Sequence, residues 1–185
     1  MWRYIIFVGV WAIIIFGWIV SHWLITAIKK RIISGIYEAC GMAVFFTLVI
    51  LGWFWMKQDI QLLSYIGLAL YIPAAYFVIS SFIYLKHKGK PESGWEETTL
   101  LIDTGVYGIT RHPMYFGTAL WMLGIVLIQQ SIISIILGII GIFCCFMASK
   151  KEDLRLIEKF GDAYKEYMKK VPMWNFLKSL FKSKR

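Results

Sequence analysis

Residues 105–117 read Gly-Val-Tyr-Gly-Ile-Thr-Arg-His-Pro-Met-Tyr-Phe-Gly. Arg111 and His112 set a permanent cation beside an imidazole, directly before Pro113. Proline fixes φ and lacks an N–H, so it suits the first turn of a helix. The residues that follow are apolar, which puts the Arg-His pair at the mouth of a membrane helix. Charge in that position is costly, and chains that carry it usually use it. Further along, Glu152 and Asp153 follow the last apolar run. A cation, an imidazole, the phenols of Tyr107 and Tyr115, and the carboxylate of Glu152 would together suit a zwitterionic ligand. Glu152 could hold an ammonium group, and helix-start amides with His112 or Arg111 could hold a carboxylate. His112 and Glu152 are also candidate proton acceptors. The competing reading makes Arg111 an anchor to lipid phosphate and Glu152 part of a solvated helix. Residue types alone do not name the ligand.

The elements that must position these groups are apolar runs. Five can be counted, at residues 4–28, 39–56, 60–85, 114–128 and 132–148. The first three are long enough to cross a bilayer, and Pro73 is expected to kink the third. The last two are shorter and separated only by Gln129-Gln130-Ser131, which predicts a helical hairpin with its turn at the far interface. Their shortness predicts that their near ends open into a polar recess. Residues 86–113 form the long polar connection. Residues 150–170 are rich in helix formers, with Gly161 expected to end one helix and Asp162 to cap the next. Tyr164 and Tyr167 are expected on one helix face, packing the tail against the rest. Trp174 to Phe181 reads as a short interfacial helix.

Composition agrees. The chain has 185 residues, 59% hydrophobic and 17% aromatic, above the apolar share of an ordinary soluble domain. The expected fold class is all-α, a single polytopic membrane domain over residues 1–185. Residues 1–85 would give three N-terminal spans and 86–185 the catalytic part. The N-terminal run has no evident cleavage site and reads as a retained span rather than a signal peptide. Net charge is +9, but the cations lie beside apolar runs, which points to anionic lipid headgroups and not to nucleic acid. Eighteen of the 20 Lys and Arg fall on one side if all five runs span; Arg3 and Lys57 fall on the other. The positive-inside rule then puts the N-terminus outside and the tail in the cytoplasm, with the cell membrane as location. Cys40, Cys144 and Cys145 form no CxxC and no metal-ligand pattern, and read as small buried hydrophobes. Glu38, just before the second run, reads as an interfacial charge rather than a catalyst.

The chain resembles the isoprenylcysteine carboxyl methyltransferase family and its membrane relatives, the phospholipid methyltransferases. The matching residues are Gly105-Val106-Tyr107, Arg111-His112-Pro113-Met114-Tyr115 and Gly117. After the hairpin come Glu152-Asp153, Leu156-Ile157-Glu158, Phe160-Gly161-Asp162, Tyr164, Glu166-Tyr167 and Val171-Pro172. The resemblance covers roughly residues 99–172 and implies S-adenosylmethionine as methyl donor. It further implies cofactor contacts at Leu100, Leu101, Ile102, Tyr107, His112, Pro113, Met114, Tyr115 and Glu152, with His112, Arg111 and Glu152 as the catalytic group. One departure stands out. The family's carboxyl methyltransferases carry an arginine four residues before the position of Glu152, facing the substrate carboxylate. Here that residue is Ala148.

The expected function is an integral membrane methyltransferase. It would act on a lipophilic acceptor entering from the bilayer, either prenylcysteine-like or a lipid amine, hydroxyl or thiol. An NADPH-dependent reductase of the sterol-reductase type is the alternative, and a lipid-binding scaffold without catalysis is the third.

Overall fold

The computed structural model describes residues 33–57, 59–90 and 98–174, together with Gly17, 20–22, 24–26 and Ile28. Most of the first expected span, and the helix expected beyond Trp174, lie outside the described residues. The helices are α1 (Ile33–Leu51), α2 (Gln61–Lys88), α3 (Val106–Ile109), α4 (Pro113–Gln129), α5 (Ile132–Phe160) and α6 (Asp162–Lys170). A 3-10 turn, Gly52–Phe54, follows α1. The protein is an all-α polytopic membrane protein. Among the described residues, α1 with its 3-10 turn, α2 and α5 are long and apolar enough to cross a bilayer, and α4 is a shorter apolar helix.

The lipid-facing surface explains why these helices form. Ile72, Ile79 and Ile83 on α2, and Ile136, Ile139 and Phe143 on α5, are exposed, Ile72 by as much as 77%. Such surface would aggregate in water. In hydrocarbon it costs nothing, while every backbone N–H and C=O must be satisfied within the segment, which a helix does.

Packing is organised around the α4–α5 hairpin, with α2 against α4 and α1 against α5. Small residues bring the helices together. A Cβ on Gly67 of α2 would lie 2.6 Å from the Gly124 carbonyl oxygen of α4, and one on Gly124 would lie 2.8 Å from that of Gly67. In a membrane, close backbone approach of this kind supplies the packing that a hydrophobic driving force cannot.

The hairpin turn is held at the far end by polar groups. Gln130 adopts a left-handed conformation with φ 50°. Its amide reads the backbone of Ile60 in both directions, accepting from the N–H and donating to the C=O, each at 2.7 Å. Gln129 is buried, donates to the Leu48 carbonyl at 2.7 Å and accepts from Ser134 Oγ at 2.6 Å. Trp55 Nε1 donates to the same Ser134 hydroxyl. The turn thus ties the starts of α2 and α5 to the end of α1.

Three expectations are corrected. The fifth apolar run does not end a helix near Ala148. α5 continues unbroken to Phe160, because intrahelical hydrogen bonds do not need apolar side chains. Its 29 residues rise about 43 Å, so the last three turns stand beyond the apolar run. Asp162 is not an N-cap. It is the first residue of α6, preceded by Gly161 at φ 60°, and its side chain bonds Lys165 at 2.8 Å. Among the cysteines, Cys144 and Cys145 are buried, but Cys40 is exposed on α1, with its sulfur 3.2 Å from that of Cys144.

Candidate active site

The near end of the bundle carries the site. α2 ends there in Lys86, His87 and Lys88, cations that suit the negative end of a helix dipole. The connection returns across it, and Thr99 N–H and Leu100 N–H both donate to the Gly89 carbonyl. It then makes the short helix α3 and presents Arg111 and His112 at the start of α4. Pro113 occupies the first helical position.

Arg111 and His112 converge on a single carboxylate. Arg111 Nη2 lies 2.8 Å from Asp153 Oδ2, and His112 Nε2 lies 2.7 Å from Asp153 Oδ1. The Tyr164 hydroxyl donates to the same Oδ1 at 2.6 Å. Burial, with the Asp153 charge beside it, pushes the Tyr164 phenol well above its ordinary range, so it stays protonated and donates. Arg111 also caps α6. Its Nη1 donates to the carbonyls of Met168 at 3.2 Å and Val171 at 3.0 Å, groups that the last turn of a helix leaves without partners. The backbone continues the contact, with Arg111 N–H to the Pro172 carbonyl at 3.0 Å and the Thr110 hydroxyl to that of Met173.

Other tail residues lock onto the same loop. The Tyr167 hydroxyl donates to the Tyr107 carbonyl at 2.6 Å, and Tyr164, Tyr167 and Val171 form a small core with Leu101, Leu156 and Ile157. The two tyrosines therefore do pack the tail. Trp174 turns inward, edge-on to Phe146 at 5.6 Å and to Phe116 at 6.1 Å, with Nε1 donating to Ser149 Oγ. An interfacial helix starting at Trp174 would instead have put it at the membrane surface. The apolar wall of the hairpin and the Ser149 hydroxyl give it a better site inside.

Under this clamp lies a recess of about 1060 Å³ including its open mouth. Leu100, Leu101, Ile102, Tyr107, Arg111, His112, Pro113, Met114, Tyr115 and Glu152 all line it. These are all ten residues singled out from the sequence, brought together from the loop, α3, α4 and α5. Ser34, Gly35 and Glu38 of α1 and Arg155 of α5 are also on the wall.

Glu152 faces this recess with an ordered carboxylate. Arg155 Nε reaches its two oxygens at 3.1 and 3.0 Å, and Arg155 Nη2 closes a second contact. Ser34 Oγ donates to Oε2 at 3.2 Å. Burial raises the Tyr107 phenol, keeping it neutral. Arg111 Nε is buried and has no hydrogen-bond partner among the described residues.

Sequence reasoning passed over three residues. Asp153 was visible beside Glu152 but received no role, since nothing in the sequence says which of two adjacent acids turns toward Arg111 and His112. Arg155, one turn beyond Glu152, carried a helix-spacing signal for an ion pair. Glu38 was placed before its helix. α1 begins six residues earlier than the apolar run, at Ile33, so Glu38 sits within the helix and on the wall of the recess.

Comparison with known proteins adds the lineage of this arrangement. The family model described as phospholipid methyltransferase matches residues 62–163, more than half of the chain. The chain is 35% identical over 74 residues to a protein-S-isoprenylcysteine O-methyltransferase of Schizosaccharomyces pombe, covering 40% of this chain and 31% of that protein. It is 31% identical over 135 residues to the Homo sapiens protein of that name, covering 69% of this chain and 45% of the relative. It is 27% identical over 157 residues to a methanethiol S-methyltransferase of Pseudomonas deceptionensis, covering 84% and 53%. The chain thus spans between about a third and a half of these relatives' lengths. No solved structure matches the chain significantly.

Proposed function

The chain belongs to the phospholipid methyltransferase family, and on that premise we propose that it is an integral membrane methyltransferase using S-adenosylmethionine to methylate a lipophilic acceptor. The observation that carries the reading is the recess itself, lined by an ordered carboxylate, Glu152, and by His112 at the start of α4. That pairing fits the ammonium and carboxylate ends of an amino-acid-bearing cofactor. S-adenosylmethionine, when bound, supplies a methyl group on a sulfonium.

The chain's residues would hold and exclude. Glu152, oriented by Arg155 and Ser34, receives the ammonium. Leu100, Leu101 and Ile102 form an apolar wall, and Tyr107, His112, Pro113, Met114 and Tyr115 close the membrane side. Arg111 and His112 hold Asp153, which fixes the tail over the recess and keeps water out. The catalytic contribution is chiefly alignment of two partners in a dry site. The acceptor enters from the bilayer. The cations of α2 and of the α5 extension favour a cytoplasmic position for this end of the bundle, with the N-terminus outside, the cell membrane as location and anionic headgroups against the tail.

A nucleotide phosphate, as in the reductase reading, would need uncommitted cations. Arg111 and Arg155 are already spent on Asp153 and Glu152. Calorimetry with the purified protein tests the choice. S-adenosylhomocysteine should bind and NADPH should not, and Glu152→Gln should weaken binding about tenfold, as loss of a charge-assisted hydrogen bond would. Heat with NADPH alone would reverse the assignment.

A further inference from the structure

α1 and α5 cross at small residues. A Cβ on Gly41 of α1 would lie 3.6 Å from Cys144 Cβ and 3.8 Å from the Gly141 carbonyl oxygen of α5. Beside this crossing stands a thiol pair that does not line the recess. Cys40 Sγ and Cys144 Sγ are 3.2 Å apart, although the residues are 104 positions apart in sequence. Closely packed helices are what a disulfide needs, since the bridge spans only about 4–7 Å between Cα atoms. Both thiols are free. Cys145, about 100° further round α5, instead lines an apolar cavity of about 850 Å³ that shares Glu38, Met114 and Tyr115 with the recess.

The two paired thiols differ in access. Cys40 is exposed and Cys144 is buried, so a reagent meets Cys40 first, with Cys144 already against it. Cys144 S–H donates to Cys40 Sγ, which favours negative charge on the Cys40 sulfur, and the thiolate is the nucleophilic form of cysteine. Cys40 lies within α1, a helix long and apolar enough to cross the bilayer, so an oxidant must reach it through lipid.

We propose that Cys40 and Cys144 form a reversible oxidation site for lipophilic hydroperoxides, closing into a disulfide that staples α1 to α5. Cys40 sulfur attacks the terminal oxygen of R–O–OH. The O–O bond breaks, and its electron pair leaves on the alkoxide oxygen, which takes the Cys40 proton to give R–OH. Cys40 is then a sulfenic acid, and a neighbouring thiol condenses with it. Cys144 sulfur attacks Cys40 sulfur, the S–O bond breaks, and hydroxide departs with the Cys144 proton as water. The pair is oxidised by two electrons and the hydroperoxide is reduced to an alcohol. Two equivalents of a small thiol reverse the link by exchange, ending as their own disulfide. The staple joins the two helices that meet at the recess through Ser34 and Glu152, 3.2 Å apart. The inference does not depend on the methyl-transfer reading.

The test treats the full chain in phosphatidylcholine nanodiscs with cumene hydroperoxide, then denatures it and labels it with N-ethylmaleimide. The reduced chain should take three labels, one per cysteine. The oxidised chain should take one, at Cys145, with peptide mapping linking Cys40 to Cys144 in the same chain, and dithiothreitol should restore three. A link closing so long a loop should raise the melting temperature by at least about 5 °C. Cys40→Ser should take two labels before and after oxidant and show no such rise, while Cys145→Ser should keep the link. Three labels after oxidant, a link through Cys145 or between two chains, Cys40 driven to a sulfinic acid without a link, or a link that leaves the melting temperature unchanged or lower would each overturn the proposal.

Discussion

Asp153 accepts from Arg111, His112 and Tyr164 at once, with 10% of its side chain exposed, and it thereby joins the loop, α5 and α6. Removing one partner of a buried ion pair leaves the others uncompensated. Asp153→Asn is therefore expected to cost about 3 kcal/mol, read as a lowered melting temperature in detergent. Tyr164→Phe, which removes one neutral donor, should cost only about 1 kcal/mol. Equal losses from the two changes would show that the carboxylate charge is not what holds the tail. The roles of Arg111 and Glu152 also separate at this scale. Both were read as ligand groups, yet Arg111 turns most of its donors to Asp153 and to the end of α6. Its Nε is buried, with no hydrogen-bond partner among the described residues. Adjacent acids on a helix point about 100° apart, so which of Glu152 and Asp153 met the recess was decided by how α5 docks on α1 and not by anything local.

At the scale of elements, the hairpin was legible because its signals are local. Gln129-Gln130-Ser131 interrupts two apolar runs, and Pro113 marks a helix start. What escaped was length. Hydropathy dates the end of an apolar run, while a helix ends where the backbone turns, and here that is Gly161 at φ 60°. The same confusion moved the start of α1 from Ile33 to Ala39 and hid Glu38. Helix pairing was also beyond the sequence, since nothing in it says that Gly67 meets Gly124. That contact yields a test. Gly67→Leu puts a side chain 2.6 Å from the opposing carbonyl and should destabilise the bundle by about 1–3 kcal/mol. Ala119, buried away from that crossing, should tolerate change to Gly with a smaller loss. Gly67→Leu with an unchanged melting temperature would mean that α2 and α4 do not approach so closely.

For the whole molecule, the proposed orientation rests on the distribution of charge. The α2 end with Lys86 and Lys88 and the hairpin turn beside Lys57 lie at opposite ends of the bundle, since Lys57 N–H bonds the Gln129 carbonyl. With Cys40, Cys144 and Cys145 changed to alanine, a membrane-impermeant maleimide applied to intact cells should label Lys57→Cys and leave Lys86→Cys untouched. The reverse pattern would invert the topology. The fold gathers a loop, a hairpin and a tail into one recess against an apolar cavity, an arrangement suited to joining a water-borne methyl donor with a membrane-borne acceptor. The measurement that bears on this most directly is transfer of tritium from methyl-labelled S-adenosylmethionine into extracted membrane lipid by the purified protein. Label should enter the organic phase with the unaltered chain and be lost with Glu152→Ala and with His112→Ala. An organic phase free of label, or label that persists undiminished in both variants, would contradict the account.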